Sequence, residues 1–120
     1  MPDARARGFE MKAARYHGNR DVRIDDVEAP SPGSGEVLID VGACGICGSD
    51  LAEYLHGPRH DDEGYLPYTM GHEFGGTVAA VGDGVDLAPG TEVGVNPLVA
   101  CEDCRRCDEG AYNRCRNLSV

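Results

Sequence analysis

The sequence predicts a mainly β domain, arranged as a small barrel or sandwich, with one short helix and a cysteine-rich metal-binding lobe. Short segments of alternating polar and apolar residues recur between turns rich in Pro and Gly, a pattern typical of antiparallel strands. One segment, around residues 49–58, combines a helix start signal with a stop signal. Four of the six cysteines lie between residues 101 and 115, a density that indicates a metal site or disulfides.

The first two predicted strands open the domain. Residues 1–10 are expected to be a disordered N-terminal extension, and the domain is expected to span residues 11–120, beginning with the strand-like "MKAARYHG". The next segment, "DVRIDDV", places Val22 and Ile24 on the same side, as a half-buried strand should. Pro and Gly in "APSPGSG" then favour a turn.

The remaining predicted strands follow the same pattern. "EVLIDV" places Val37, Ile39 and Val41 inward and Leu38 outward. "GTVAAV" is predicted to be another strand. The "APG" at residues 88–90 fits a type II turn, because Pro sets φ at the second position and Gly tolerates positive φ at the third. A last strand, "TEVGV", comes next.

One helix is predicted between these strands. Ser49 or Asp50 can cap it, and Gly57 with Pro58 stops it. Three apolar residues share one of its faces: Leu51, Tyr54 and Leu55. The stretch that follows, "HGPRHDDEGYLPY", is predicted to be a long acidic loop, and long loops in compact domains are often functional.

The composition limits the size of the core and the class of partner. At 120 residues and 12.8 kDa the chain has the size of one domain, which buries only about two-thirds of its unfolded surface. The net charge of −10 and the pI near 4.6 exclude nucleic acid as a general partner, because its phosphates would be repelled. Lys12 is the single lysine among the 11 Lys and Arg residues, and an acidic, lysine-poor surface suggests a halophilic protein.

The N-terminal residues carry no targeting or membrane signal. "MPDARARGFE" has no apolar run, and no later segment reaches the length that spans a bilayer, so no membrane partner is expected. We therefore expect a cytoplasmic protein whose thiols are reduced.

The strongest chemical signal is "CEDCRRCDEGAYNRC". Its four cysteines are Cys101, Cys104, Cys107 and Cys115. Four thiolates from one short segment can surround a tetrahedral ion, the usual form of structural zinc. Four nearby arginines could offset the negative charge: Arg105, Arg106, Arg114 and Arg116. An iron–sulfur cluster is the main alternative, although in ferredoxins the fourth cysteine lies closer and a proline follows it. Surface disulfides are the other alternative.

A second pattern joins two separate stretches. In "VGACGICGSD", Cys44 and Cys47 could be a redox pair, half of a metal site, or one ligand beside a bystander. Further on, "GHEFGG" places His72 and Glu73 between glycines, just before a strand. Glycine allows the backbone to bring both side chains to one point, and imidazole with thiolate suits zinc. Taken alone, a His-Glu pair in a loop is more often a solvated turn.

The three segments "GICGSD", "GHE" and the four-cysteine lobe resemble, in order and spacing, the zinc-dependent medium-chain alcohol dehydrogenases. "MKAARYHGNRDVRIDDVEAP", "CGICGSDLAEY" and "NPLVACEDC" are most similar to the butanediol and sorbitol dehydrogenase branch. The resemblance implies a GroES-like β-barrel as the catalytic domain, a Rossmann domain that binds NAD or NADP, and a small alcohol or diol substrate. It also implies that a full-length form could be a homo-oligomer.

The resemblance assigns roles to individual residues. Cys47 matches the cysteine ligand of the catalytic zinc, His72 the histidine ligand, and Glu73 the acidic residue beside the metal. Ser49 matches the hydroxyl that relays the alcohol proton. In this chemistry zinc polarises the substrate oxygen while hydride passes to the nicotinamide. Asp50 is a candidate acceptor for the ring N–H of His72, or a helix cap.

Two positions need separate comment. Ala52 occupies the position where many relatives carry a histidine that passes the proton outward; His56 or water could replace it. The resemblance assigns Cys47 to the metal site without Cys44, so the two cysteines do not form a functional pair. Cys44 is expected to be a small buried residue.

No G-x-G-x-x-G motif occurs in the 120 residues, and in this family the remaining ligand of the catalytic zinc would lie beyond Val120. We therefore expect a truncated dehydrogenase with little activity alone. The alternative is a standalone, non-catalytic zinc-binding module that keeps the barrel and the lobe for folding or association. A thiol redox protein that uses Cys44 and Cys47 is a third hypothesis.

Overall fold

The structure, a computed structural model, describes residues 10–58 and 65–119 and is mainly β, as predicted. The strands are β1 (Glu10–Gly18), β2 (Asp21–Glu28), β3 (Val37–Cys44), β4 (Tyr68–Thr69), β5 (Phe74–Val81) and β6 (Glu92–Gly94). The helices are α1 (Gly48–His56) and α2 (Arg105–Asp108), followed by a 3₁₀ turn at Tyr112–Arg114. The strands form two antiparallel sheets of three, in the orders β2-β1-β4 and β3-β5-β6. No helix within the described ranges is long and apolar enough to cross a membrane.

Strand β1 begins at Glu10, one residue before the predicted start of the domain. The expected disordered extension therefore falls almost entirely on residues outside the described ones. The central part of the predicted acidic loop, residues 59–64, is also outside them.

The β1–β2 hairpin contains both confirmed and wrong predictions. Both strands form where the sequence places them, and Tyr16 of β1 is fully buried. Val22 and Ile24, expected to face the core, are instead 44% and 67% exposed. Among the described elements β2 packs mainly against its in-sheet neighbour β1, so the face that carries Val22 and Ile24 is left largely uncovered. Alternation shows which side chains share a face, but not whether that face is covered.

The β3–β5 pair departs from simple alternation because it contains two irregularities, between Leu38 and Ile39 and between Val41 and Ala43. A bulge shifts the side-chain phase of a strand. Leu38, predicted to point outward, is half-buried like its neighbours Val37 and Ile39, and Val41, predicted to point inward, is 51% exposed just before the extra residue Gly42. On the partner strand, Val78 is buried.

The predicted turn at residues 88–90 is confirmed. The N–H of Thr91 donates to the carbonyl of Ala88 at 3.2 Å, and Gly90 has φ +93°. Positive φ at the third position defines the type II geometry that the sequence predicts.

Helix α1 forms as predicted, but its cap differs. Its N-cap residue is Cys47 and not Ser49 or Asp50. Asp50 accepts the Cys47 backbone N–H through its carboxylate at 2.9 Å, as an acidic residue at the third helical position can. At the other end, Gly57 adopts φ +98° and terminates the helix. The hydrogen bond from the Cys47 N–H to Asp50 therefore helps to hold Cys47 at the N-terminal end of α1.

Candidate metal centres

The four cysteines of the lobe form one cluster of sulfur atoms, here called the lobe cluster. It comprises Cys101, Cys104, Cys107 and Cys115, whose Sγ atoms all lie within 4.8 Å of one another. Three of the Sγ–Sγ distances are 3.4 Å (Cys101–Cys115), 3.6 Å (Cys104–Cys107) and 3.9 Å (Cys104–Cys115). A tetrahedron with zinc–sulfur bonds of about 2.3 Å has edges of about 3.8 Å. The lobe cluster thus has the size that one zinc ion requires.

Backbone N–H groups stabilise negative charge on these sulfurs. The N–H groups of Cys101 and Asn117 each donate to Cys115 Sγ at 3.3 Å, which lowers the pKa of the Cys115 thiol. The N–H groups of Arg116 and Cys107 lower the pKa of Cys104 to about 6. Desolvation raises the pKa of Cys107 to about 11. The fold therefore favours a thiolate at Cys104 near neutral pH, and a bound cation would favour thiolates at the other positions.

The arginines near the lobe cluster are arranged differently from a simple charge shell. Arg105 Nε and Arg106 Nη1 pair with the carboxylate of Glu109, at 2.6 and 3.1 Å. The groups that lower the pKa of Cys104 and Cys115 are instead mainly the backbone N–H groups described above. The sequence could not reveal this, because backbone donors carry no residue signature.

A second group, here called the three-ligand cluster, joins two distant stretches of the chain. It comprises Cys47, His72 and Glu73, whose ligand atoms lie within 4.8 Å of one another. Cys47 and His72 are half-buried, whereas Glu73 is exposed. Thiolate, imidazole and carboxylate are the donor types that zinc takes in catalytic sites, where three protein ligands leave one position open.

Asp50 contacts both halves of the three-ligand cluster. One carboxylate oxygen accepts the Cys47 N–H, and the other lies 3.8 Å from His72 Nδ1. The second distance is within the range of an ion pair and longer than a hydrogen bond. The two roles that the sequence left open, helix cap and neighbour of His72, therefore coexist in one side chain.

Two glycines allow the segment of residues 70–73 between β4 and β5, here called the ligand loop, to approach the end of β3. The N–H of Gly45 donates to the Glu73 carbonyl at 2.7 Å, and a Cβ at this position would lie 3.0 Å from a carboxylate oxygen of Glu73. Gly71 has φ +103°, and a Cβ there would lie 2.7 Å from Cys44 Sγ. Residues with side chains at these positions would disturb the segments that hold the ligands.

The prediction that Cys44 is buried is wrong, because it is exposed at the end of β3. The bulge after Val41 alters the side-chain phase of the last residues of this strand, so Cys44 lines a surface groove. Its thiol donates to the neighbouring Gly45 carbonyl at 3.5 Å. Within the described residues, Cys47 groups with His72 and Glu73, and Cys44 does not join them.

The predicted proton-relay positions lie along α1. Ser49 is half-buried in the first turn, two residues after Cys47. Ala52 follows three positions later on the same side of the helix and is exposed. His56, at the last helical residue, is also exposed.

An apolar groove of about 400 Å³ runs beside the three-ligand cluster. Its apolar walls include Val22, Ile46, Leu51, Tyr54 and Met70, and Asp50 belongs to both the groove and the site. Sequence reasoning missed this groove, because its walls come from separate segments whose proximity only the fold establishes. The exposed pair Ile46 and Leu51, on either side of Cys47, was its one local signal.

Comparison with known families gives a match over residues 33–120, to the family described as alcohol dehydrogenase GroES-like domain. Sorbitol dehydrogenase of Bacillus subtilis is 44% identical over 109 residues, covering 90% of this chain and 31% of that protein. (R,R)-Butanediol dehydrogenase of the same organism is 46% identical over 112 residues, covering 86% and 31%. The chain thus spans about a third of the length of the relatives that it matches.

Solved structures show the same fold. An Escherichia coli oxidoreductase/dehydrogenase of unknown specificity superposes with a TM-score of 0.82 at 37% identity, covering 93% of this chain and 33% of that one. An Escherichia coli alcohol dehydrogenase complexed with NADH superposes with a TM-score of 0.75 at 38% identity. The match covers 92% of this chain and 32% of that one. A cobalt- and zinc-bound alcohol dehydrogenase from Pyrobaculum aerophilum superposes with a TM-score of 0.79 at 30% identity. The match covers 91% of this chain and 33% of that one. The mainly β architecture of this chain is therefore shared with these solved structures.

Proposed function

Because the chain belongs to the alcohol dehydrogenase GroES-like domain family, we propose that it is the zinc-binding catalytic part of a dehydrogenase that oxidises a secondary alcohol, diol or polyol with NAD or NADP. The observation that carries this proposal is the three-ligand cluster. A purely structural zinc module has no reason to hold a thiolate, an imidazole and a carboxylate within 4.8 Å of one another. The names of the relatives support an alcohol or polyol as the substrate class.

In this proposal Cys47, His72 and Glu73 hold a zinc ion. When bound, zinc would supply Lewis acidity toward the oxygen of the alcohol. Ser49, two residues from Cys47, would relay the alcohol proton: its hydroxyl accepts that proton while passing its own to water. Asp50 orients the site, since it contacts the Cys47 backbone and lies beside His72. The nicotinamide that accepts hydride would be bound by a nucleotide-binding domain, and a polypeptide of these 120 residues alone is expected to turn over little substrate.

We propose a separate structural zinc ion for the lobe cluster. The Sγ–Sγ distances of 3.4–3.9 Å support a single ion. Sulfurs that bind different iron atoms of an iron–sulfur cluster would have to lie further apart, and disulfide sulfurs would be at about 2.05 Å. The four donors close the coordination shell, so this ion stabilises the lobe and takes no part in the reaction.

The setting proposed for the protein follows from its chemistry and charge. Thiol ligands of a metal need a reducing compartment, which favours the cytoplasm. Many carboxylates are exposed, including Asp26, Asp40, Asp83, Asp86, Glu92 and Asp103. This acidic surface supports both adaptation to high salt and the absence of nucleic acid as a partner. Full-length relatives could assemble as homo-oligomers.

A chimera tests the function directly. Residues 11–119 of this chain would replace the matching segment of the Bacillus subtilis butanediol dehydrogenase, which supplies a nucleotide-binding domain. We expect NAD reduction with a diol, and its loss in Cys47→Ser and His72→Ala. Cys44→Ser, the matched control, should keep the activity. A folded, zinc-loaded chimera without turnover, or one in which Cys47→Ser is fully active, would overturn the proposal.

The alternative, a non-catalytic zinc-binding module, has one observation in its favour. The lobe cluster offers four donors, whereas the three-ligand cluster offers three. This alternative requires that zinc bind the lobe cluster alone and that substitutions at Cys47 leave zinc content unchanged.

A further inference from the structure

The two chain segments that carry Cys47 and His72 are also joined by a contact away from the ligands. Glu53 lies on α1, and its carboxylate accepts a hydrogen bond from the hydroxyl of Tyr68 on β4. The backbone carbonyl of the same Glu53 accepts a hydrogen bond from the Tyr16 hydroxyl at 2.7 Å. Glu53 is therefore held by both tyrosines at once.

The two tyrosines form a rigid base for this contact. Tyr16 and Tyr68 are directly paired in the β1–β4 ladder, and their rings meet edge to face with centroids 5.5 Å apart. Tyr16 is fully buried. Burial and the hydrogen bond to Glu53 raise the pKa of Tyr68 well above its usual value, so its hydroxyl remains a donor across the physiological range. A donor bound to a carboxylate makes one of the stronger hydrogen bonds in proteins.

The contact between Glu53 and Tyr68 joins the two chain segments that carry Cys47 and His72. Cys47 caps α1 six residues before Glu53, a rise of roughly 9 Å along a rigid helix. On the other segment, His72 follows Tyr68 by four residues. A contact between Glu53 and Tyr68 therefore limits how far the helix and the ligand loop can move apart.

Further contacts hold the same end of α1. The Arg20 N–H donates to the Tyr54 carbonyl at 2.8 Å, and the Asn19 side-chain amide donates to the Leu55 carbonyl at 3.2 Å. These bonds attach α1 to the β1–β2 turn, but they do not reach the segment that carries His72. Among these contacts at the C-terminal half of α1, Glu53 with Tyr68 is the one that couples both ligand-bearing segments.

We propose that Glu53 and Tyr68 are positioning residues, a brace that fixes the separation of Cys47 from His72 and thereby sets the metal affinity of the three-ligand cluster. The inference rests on the proposed function, in which these residues bind the catalytic zinc. Neither Glu53 nor Tyr68 belongs to the cluster itself.

Cobalt(II) titration of the 120-residue chain tests the brace. The absorption that Cys47→Ser removes reports cobalt at the three-ligand cluster, and the remaining thiolate absorption reports the lobe cluster. We expect Tyr68→Phe to weaken cobalt binding at the three-ligand cluster by about tenfold, as loss of supporting hydrogen bonds does at other metal sites. The lobe cluster should keep its affinity. Glu53→Gln, which retains an acceptor oxygen, should restore most of the binding that Glu53→Ala loses.

Tyr112→Phe is the matched control, since Tyr112 is an exposed tyrosine in the lobe. Unchanged affinity and an unchanged spectrum in Tyr68→Phe would overturn the brace alone. Equal losses at both clusters in Tyr68→Phe would also overturn it, because they would indicate general unfolding. Absence of cobalt at Cys47 in the parent chain would overturn the brace and the proposed function together.

Discussion

At the scale of single residues, the three-ligand cluster depends on two nearby glycines as well as on its three candidate ligands. Gly45 and Gly71 lie on two segments that meet beside Glu73 and Cys44. At Gly71 a positive φ and a close sulfur atom both exclude a side chain. The glycines therefore determine where the ligand loop can run.

Substitution at Gly71 tests this point. Gly71→Ala should destabilise the fold by about 1–3 kcal/mol, because alanine is strained at φ +103°. It should also displace His72 and weaken zinc binding at the three-ligand cluster. Zinc titration with denaturant unfolding would measure both effects. Gly84→Ala is the matched control, since Gly84 has φ +81° but no atom near its Cβ position. Loss of zinc in the control, or full zinc affinity in Gly71→Ala, would refute the interpretation.

At the scale of elements, the sequence predicts where strands, helices and turns form better than it predicts which of their side chains are buried. The helix was predictable because an acidic residue near its start and Gly57 at its end are local signals. The turn at residues 88–90 was predictable for the same reason. Val22, Ile24 and Val41 were assigned to the wrong environment.

These errors have physical causes. Burial depends on which other segment covers each face of a sheet and on bulges, and both are determined by contacts between segments distant in sequence. The lobe cysteines were recognisable as a candidate metal site from their spacing alone. Cys47, His72 and Glu73 come from separate stretches and were grouped only through the resemblance to a family. The roles of Asp50 as a neighbour of His72 and as a helix cap were both considered from the sequence. The contact between Glu53 and Tyr68 joins a helix residue to a distant strand, and no sequence pattern indicated it.

If zinc binds the lobe cluster as proposed, the lobe is the element whose structure should depend most on the metal. Helix α2 has four residues, too short to be stable alone. Chelation should therefore increase hydrogen exchange at Cys107 and Ala111, whose N–H groups bond within the lobe. The β1–β2 ladder should keep its protection. Cys104→Ser should reproduce the effect without a chelator. Equal protection of the lobe with and without metal would contradict a structural zinc.

At the scale of the whole molecule, the net charge of −10 predicts a dependence on salt. Exposed carboxylates repel one another, and the screening length falls from about 10 Å at 0.1 M salt to about 3 Å at 1 M. The unfolding midpoint in urea should therefore rise as sodium chloride increases to molar concentration. Replacing Asp83 and Asp86, both exposed, by Asn should raise stability at low salt and reduce the dependence. A midpoint equal in low and molar salt would refute halophilic adaptation.

We propose that one chain holds two metal centres with different chemistry, one at the lobe cluster and one at the three-ligand cluster. Elemental analysis of the purified 120-residue chain tests it most directly. We expect two zinc ions per chain, one for each cluster, falling to one in Cys47→Ser and in His72→Ala. Cys44→Ser should keep both. A single zinc ion that survives Cys47→Ser and disappears when the lobe cysteines are replaced would contradict the account.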